Sequence, residues 1–204
     1  QSKPIKRTVS RLSMPLRRRL GIRLPPREFL MRALPEGSVG AEIGVWRGEF
    51  ATDIVRRVKP RVLHLIDPWM FMPDRAGSVY GGSVAKEQAD MDAIYDAVVG
   101  QFAARIEDGS VVMHRATSAE AALEFSDECF DWVYIDGDHS YEGVLADLRA
   151  FTPKVKRGGL VTGDDYGRKG WWGAGVKQAV DEHLADRSCR LEWIKGKQFA
   201  LRRP

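Results

Sequence analysis

The feature that most constrains this 204-residue chain is an alternation, from Val39 onward, between short apolar runs and stretches with helical spacing of apolar residues. Such alternation builds βαβ units, and these give a parallel sheet, because a parallel neighbour is reached only through a long crossover. The runs are Val39–Val45, Val62–Ile66 closing at Asp67, Val111–His114, Trp132–Ile135 closing at Asp136, and Leu160–Thr162 ending at Asp164. After the first run, Phe50, Ile54, Val55 and Val58 fall at i, i+4, i+5 and i+8, and Pro60 ends the helix. Further helices are predicted over 118–123, 141–151 and 175–184. Two last runs, 191–194 and 199–201, bracket Gly196 as a hairpin. The expectation is a doubly wound α/β domain with a mostly parallel sheet.

Composition bounds what such a domain does. An apolar fraction of 44% and a charged fraction of 29% suit one globular domain, and the length is short for two. Cys129 and Cys189 stand apart with no C-x-x-C pair, which fits a reducing compartment. No apolar run approaches the ~20 residues of a membrane helix, and no secretory h-region is seen, so a cytoplasmic protein is expected. The net charge of +4 is uneven: ten basic side chains and one acid give residues 1–32 a net +9, leaving −5 for residues 33–204. The expected organisation is a basic arm, 1–32, and a domain, 33–204. Such an arm is either a solvated extension or a contact for nucleic acid, anionic lipid or an acidic partner; Leu12, Leu16, Leu20 and Ile22 have partly helical spacing. Residues 68–100 break the rhythm with Pro68, Pro73, Gly77, Gly81 and Gly82 before a helical pattern resumes near Asp90–Phe102. A long irregular connection leaving a strand end reads as a lid or acceptor loop.

In open parallel sheets, ligands sit beyond the carboxyl ends of the strands, so the first strand–helix turn matters most. It reads Glu42-Ile43-Gly44-Val45-Trp46-Arg47-Gly48. Gly44 and Gly48 allow close backbone approach, but Trp46 stands where a dinucleotide fingerprint needs glycine, and the P-loop spacing is absent. Asp67, at the end of the second strand, can accept both hydroxyls of a ribose. This pairing of an E-x-G-x-x-x-G turn with a strand-ending acid resembles the class I S-adenosylmethionine (SAM) dependent methyltransferases. The resemblance covers about Val39 to Leu201. It implies a Rossmann-like, seven-stranded sheet, with Glu42, Gly44 and Gly48 lining SAM, Asp67 on its ribose and Ser118 near its adenine. The plain alternatives are a tight turn with a buried capping acid, and a helix cap at Ser118.

The fourth strand closes as Ile135-Asp136-Gly137-Asp138-His139-Ser140-Tyr141-Glu142, and the fifth as Gly163-Asp164-Asp165-Tyr166. If these strands are neighbours, Asp136, Asp164 and Asp165 converge. Crowded carboxylates repel, and a divalent cation is the usual remedy; all-oxygen ligands favour Mg²⁺, with Mn²⁺ or Ca²⁺ as substitutes, over zinc. The alternative is that these acids cap helices and bind solvent. The pattern resembles the metal-dependent branch of the same family, which implies Mg²⁺ on Asp136, Asp164 and Asp165, Asp136 also beside the cofactor, and a catalytic base at His139. It looks closer still to the macrocin-type small-molecule and sugar O-methyltransferases, among them those of methylmannose polysaccharide synthesis. Catechol-type members carry lysine as base and an amide as last ligand, so His139 and Asp165 depart from that pattern.

The chemistry accounts for these residue types. SAM carries an electrophilic methyl group, and in-line transfer needs the acceptor oxygen aligned with the carbon–sulfur axis. A sugar hydroxyl holds its proton tightly; metal binding acidifies it, and a histidine of pKa near ~6.5 then takes the proton. His64 and His114 read as satisfied sheet residues and His183 as solvent-facing. Trp171, Trp172 and Tyr166 are either an aromatic wall for a sugar ring or packing. The expected function is Mg²⁺-dependent O-methylation of a small molecule, a sugar or short oligosaccharide first and a phenolic or polyketide hydroxyl second. Nucleic acid is not the favoured partner, and a homodimer is compatible with the sequence. An oxidoreductase is disfavoured by the missing glycine and by the lack of a two-histidine, one-carboxylate set. A non-enzymatic module binding nucleic acid or a partner through the basic arm is the other alternative.

Overall fold

The computed structural model describes residues 25–75, 78–170 and 172–204. Its regular elements are α1 (Pro26–Ala33), β1 (Val39–Ile43), α2 (Glu49–Arg57), β2 (Val62–Asp67), α3 (Gln88–Glu107), β3 (Val111–Arg115), α4 (Ser118–Ala122), β4 (Phe130–Ile135), α5 (Tyr141–Phe151), β5 (Val155–Gly163), α6 (Gly175–Ala185), β6 (Arg190–Lys195) and β7 (Gln198–Arg202). One sheet has the order β3-β2-β1-β4-β5-β7-β6. β1 to β5 are mutually parallel, while β7 runs antiparallel to both β5 and β6. This is the mostly parallel α/β architecture that the alternation predicts, with the seven strands that the resemblance implies. From β1 the chain winds outward through β2 to β3, then returns to place β4 on the other side of β1. The order therefore reverses between β1 and β4, where a crevice opens beyond their carboxyl ends.

Both faces of the sheet are covered, and side-chain alternation sorts residues between them. In β4, Trp132 and Tyr134 pack with α1, α2 and α3, while Val133 and Ile135 pack with α4, α5 and α6. Gly40 makes the first arrangement possible, since a Cβ there would lie 2.2 Å from the Trp132 indole. That indole is fully buried, and its N–H is satisfied by Ser38 Oγ at 2.8 Å. α5 offers Val144, Leu145, Leu148 and Phe151 to its core, and its N-cap Ser140 accepts the Gly143 N–H at 3.1 Å.

α1 begins inside the stretch read as the basic arm. Pro26 presets its first turn, Leu30 and Met31 are buried in the core, and Phe29 meets Trp193 edge-on at 5.0 Å. Residues 25–32 thus pack on the domain, while the helical spacing of Leu12 to Ile22 lies outside the described residues. Among the described residues the long connection between β2 and α3 is irregular apart from short turns at Pro73–Arg75 and Val79–Ser83, and α3 then outruns the predicted helix at both ends. His64 and His114 pair across β2 and β3 at 2.9 Å, and burial followed by the neighbouring imidazole lowers His64 to about 4. His183 corrects the sequence reading: it is buried against Thr152, with 3.0 Å between ring nitrogen and hydroxyl. Among the described residues no helix is long and apolar enough to cross a membrane.

Candidate active site

The crevice at the β1–β4 switch is a cavity of 620 Å³, within the range of small-molecule sites. Gly44 lies at its edge with φ +88°, and a Cβ there would stand 2.4 Å from the Asp136 carbonyl, so the tips of β1 and β4 can close together only with glycine. Gly48, at φ +71°, caps α2 and faces Phe102, Gln101 and Val98; it is not among the residues lining the cavity. Glu42 lies behind the wall, fully buried, with Oε2 unpaired. Burial, then repulsion from Asp136, holds its carboxyl well above the usual range; Arg27 works against this and Asp67 adds to it.

Asp67 reaches the cavity wall with its oxygens already engaged. Oδ2 accepts the Val45 and Trp46 N–H groups, each at 2.9 Å, and the Tyr80 hydroxyl; Oδ1 accepts the Trp69 N–H at 2.8 Å. Burial raises its pKa, and these donors oppose the rise. Trp46 and Trp69 have φ of +53° and +39°, a region costly for bulky side chains. Asp67 therefore pins two tryptophans at positive φ, of which Trp46 lines the cavity and Trp69 is buried behind it, and Tyr80, from the irregular connection, closes the set. Periodicity offers no signal for Tyr80, because it lies outside any regular element.

β4 and β5 are neighbours, and Asp136 and Asp164 converge on one cation. Arg27 Nη2, from α1, is 2.9 Å from Asp136 Oδ2 and 2.8 Å from Asp164 Oδ2. Its guanidinium lies 4.7 Å from the Phe50 ring centre, and its Nε is buried without a partner, as is the nearby Tyr134 hydroxyl. Asp165 turns aside, with φ +59°: Lys197 Nζ is 2.9 Å from its Oδ1 and 3.1 Å from Asp164 Oδ2. Burial opposes ionisation of Asp165, but the Lys197 hydrogen bond and charge outweigh it and lower its pKa. Two of the three predicted carboxylates thus share a positive centre, and the third binds a neighbouring one. Among the described residues no three histidine, cysteine or acidic side chains are arranged to hold a metal ion.

His139, three residues past Asp136, lines the cavity. Its Nε2 is 3.2 Å from Asp136 Oδ1, and its ring packs on Trp172 with centroids 4.6 Å apart. Burial disfavours the imidazolium, but the Asp136 carboxylate, with Asp165 and Asp164 beyond it, outweighs burial and raises the pKa. Asp138 pairs with Arg75 at 2.7 Å and so ties the irregular connection to the β4 tip. Ser118 lines the far side beside Thr117, the N-cap of α4. Of the predicted site residues, Gly44, Asp67, Ser118, Asp136, His139 and Asp165 line the cavity, while Glu42, Gly48 and Asp164 lie behind it. Sequence reasoning missed Arg27, Tyr80 and Asp147.

A glycine-edged crevice at the switch point, with acids at successive strand ends, defines a site for a nucleoside-bearing small molecule on an open α/β sheet. Residues 41–166 match a family model described as a methyltransferase domain, and the chain belongs to that family. An uncharacterized protein of Acanthamoeba polyphaga mimivirus is 35% identical over 83 residues, which are 38% of this chain and 37% of that protein, so the match spans little more than a third of its length. The O-methyltransferase NovP superposes with a TM-score of 0.58 at 22% identity, covering 87% of this chain and 76% of NovP. Geranyl diphosphate methyltransferase, solved in complex with SAM, gives 0.61 at 11% identity over 87% of this chain and 84% of that one. The fold is that of the class I SAM-dependent methyltransferases.

Proposed function

We propose that the protein transfers the methyl group of SAM to a hydroxyl oxygen of a small molecule, a sugar or short oligosaccharide. The observation that carries this is His139, a histidine held in the cavity wall by Asp136 and packed at a tilt against Trp172. With Nε2–H donated to Asp136, the Nδ1 lone pair is left to take the acceptor's proton, and the carboxylate stabilises the imidazolium that forms. When bound, SAM supplies an electrophilic methyl whose transfer to oxygen breaks the carbon–sulfur bond and leaves S-adenosylhomocysteine. Gly44 supports it through close backbone approach, and Glu42 offers an unpaired carboxyl oxygen beneath the turn. Gly48 contributes by starting α2, Asp67 by fixing the mouth, and Ser118 from the far wall.

The saccharide reading rests on the cavity's surfaces. Trp46, Tyr80 and Trp172 give aromatic faces, and Arg75, Ser78 and Arg168 give polar groups around them. A pyranose ring presents apolar C–H faces and a polar rim, which such walls complement. Residues 68–100 serve as the acceptor side and lid in this reading. Mg²⁺, or Mn²⁺ in its place, belongs to the same proposal: the donors are hard oxygens, and Arg27 stands in as the cation that Asp136 and Asp164 already share. The ion would take Asp136 and Asp164, with Asp165 after it releases Lys197, and would acidify the acceptor hydroxyl.

Purified protein with radiolabelled SAM and a panel of sugars, mannosides and phenols tests the reading. Label is expected on a saccharide hydroxyl, with turnover lost in chelator while SAM binding persists. Transfer only to phenols removes the saccharide assignment, and full activity in EDTA removes the metal.

A further inference from the structure

Asp147 is a buried acid that neither the sheet nor the proposed methyl transfer requires. On α5, Gly143, Ala146 and Asp147 fall at i, i+3 and i+4, and all three line the cavity. Two small residues make that stretch of wall flat, and the third sets a carboxylate at its end. Ile66 and Pro68 line the same cavity, and Ser118 lines it beside Asp147, to which it is hydrogen-bonded. The result is a slot with an apolar wall and a polar end, suited to a planar heterocycle.

The carboxylate is short of partners. Only 5% of Asp147 is exposed, Ser118 is its hydrogen-bond partner, and among the described residues no lysine or arginine pairs with it. Burial pushes its carboxyl up to about 7; the Ser118 hydroxyl pulls the other way, and Asp138 adds repulsion. A carboxylate has about four acceptor positions, so most of its capacity is open to a ligand that donates. Asp147 also lies two helical turns beyond the α5 N-cap, roughly 10 Å along the axis from the His139 end. A nucleoside whose reacting sulfur lies at His139 extends its base in this direction.

We propose that Asp147, with Ser118, recognises the exocyclic amino group of the cofactor's adenine. The inference rests on the SAM reading and adds a base-specificity residue to it. Above pH ~7, where Asp147 is ionised, the amino group donates to the carboxylate, whereas a purine with a carbonyl at that position sets acceptor against acceptor. A buried site built to accept an N–H rejects a ligand that lacks it, because the acceptor is left unpaired.

Titration calorimetry at about pH 8.5, where Asp147 is ionised, with S-adenosylhomocysteine and its deaminated analogue, S-inosylhomocysteine, tests this on the wild type, Asp147→Asn and Asp147→Leu. The wild type is expected to prefer the adenosyl compound by about 100-fold or more. Asp147→Asn, whose amide flips to accept from an amino group or donate to a carbonyl, loses most of that preference while still binding both compounds, and Asp147→Leu brings it to within a few-fold, mainly by weakening the adenosyl compound. An unchanged preference in Asp147→Leu, in protein whose melting shows it folded, overturns the assignment. Failure of both ligands to bind the wild type overturns the SAM reading itself. Binding of both with equal affinity to the wild type overturns only the role of Asp147.

Discussion

Replacing Asp147 by asparagine probes stability as well as recognition, and the magnitude follows from burial. The carboxyl titrates at about 7 in the folded protein against an ordinary 3.8. Because the folded value is the higher one, the folded state keeps its proton while the unfolded state loses it. The group therefore costs nothing below pH ~3.8, progressively more between ~3.8 and ~7, and a constant amount above. At about 1.4 kcal/mol per pH unit, the full cost is on the order of 4 kcal/mol. Solvent does little to reduce it, since the side chain is almost fully enclosed. Asparagine keeps shape and an acceptor but cannot ionise. Its advantage over the wild type is expected to grow by about 2.5 kcal/mol between about pH 5 and about pH 8.5. In a protein of this size that corresponds to a relative gain in melting temperature of roughly 5–10 °C. Urea unfolding of both proteins at the two pH values measures it, and taking the difference removes every other titrating group. A difference that stays flat across that range refutes the argument, because it would mean that the carboxyl ionises as freely folded as unfolded.

His139→Ala is expected to lower kcat by about 10²- to 10⁴-fold with SAM affinity nearly unchanged, as befits a proton acceptor that does not hold the cofactor; steady-state kinetics beside calorimetry separates the two, and an unaffected rate retires the base. Arg27→Gln removes the cation shared by Asp136 and Asp164. Mn²⁺ affinity, read by electron paramagnetic resonance without turnover, is then expected to rise by about tenfold or more, since the half-buried guanidinium no longer competes for the carboxylates. Equal uptake by both proteins shows that Arg27 does not compete, and no uptake by either removes the metal.

The fold was legible because its signals are local. Alternation in Trp132–Ile135 assigns alternate side chains to opposite faces, Pro60 stops α2, and the strand-end acids fall where the sheet expects ligands. The adjacency of β4 and β5 is only a condition in the sequence, and the strand order supplies it. The residues missed were those whose place depends on distant contacts. Arg27 looks like one more charge in a basic stretch, and only the burial of Leu30 and Met31 brings it over the acids. Two signals were present but unused. His183 shares one face of α6 with Val176, Ala179 and Val180, and that spacing alone marks it as buried. Asp147 is an acid among Val144, Leu145, Leu148 and Phe151, a position where an unpaired carboxylate calls for a reason.

The site gathers seven acids, and the way each is or is not partnered separates scaffold from ligand contact. Glu42 is pushed toward its neutral form by burial and by Asp136. Asp67 is satisfied by three backbone N–H groups and a phenol. Asp136 and Asp164 share Arg27, Asp165 has Lys197, and Asp138 has Arg75. The aspartates among these are partnered within the fold, whereas Glu42, like Asp147, carries a cost of burial. Asp147 has a single hydroxyl and no cation, so its destabilising burial is not offset within the chain. A folded domain retains such a group where something outside the chain completes it, and the cavity wall on which Asp147 sits is where that something enters.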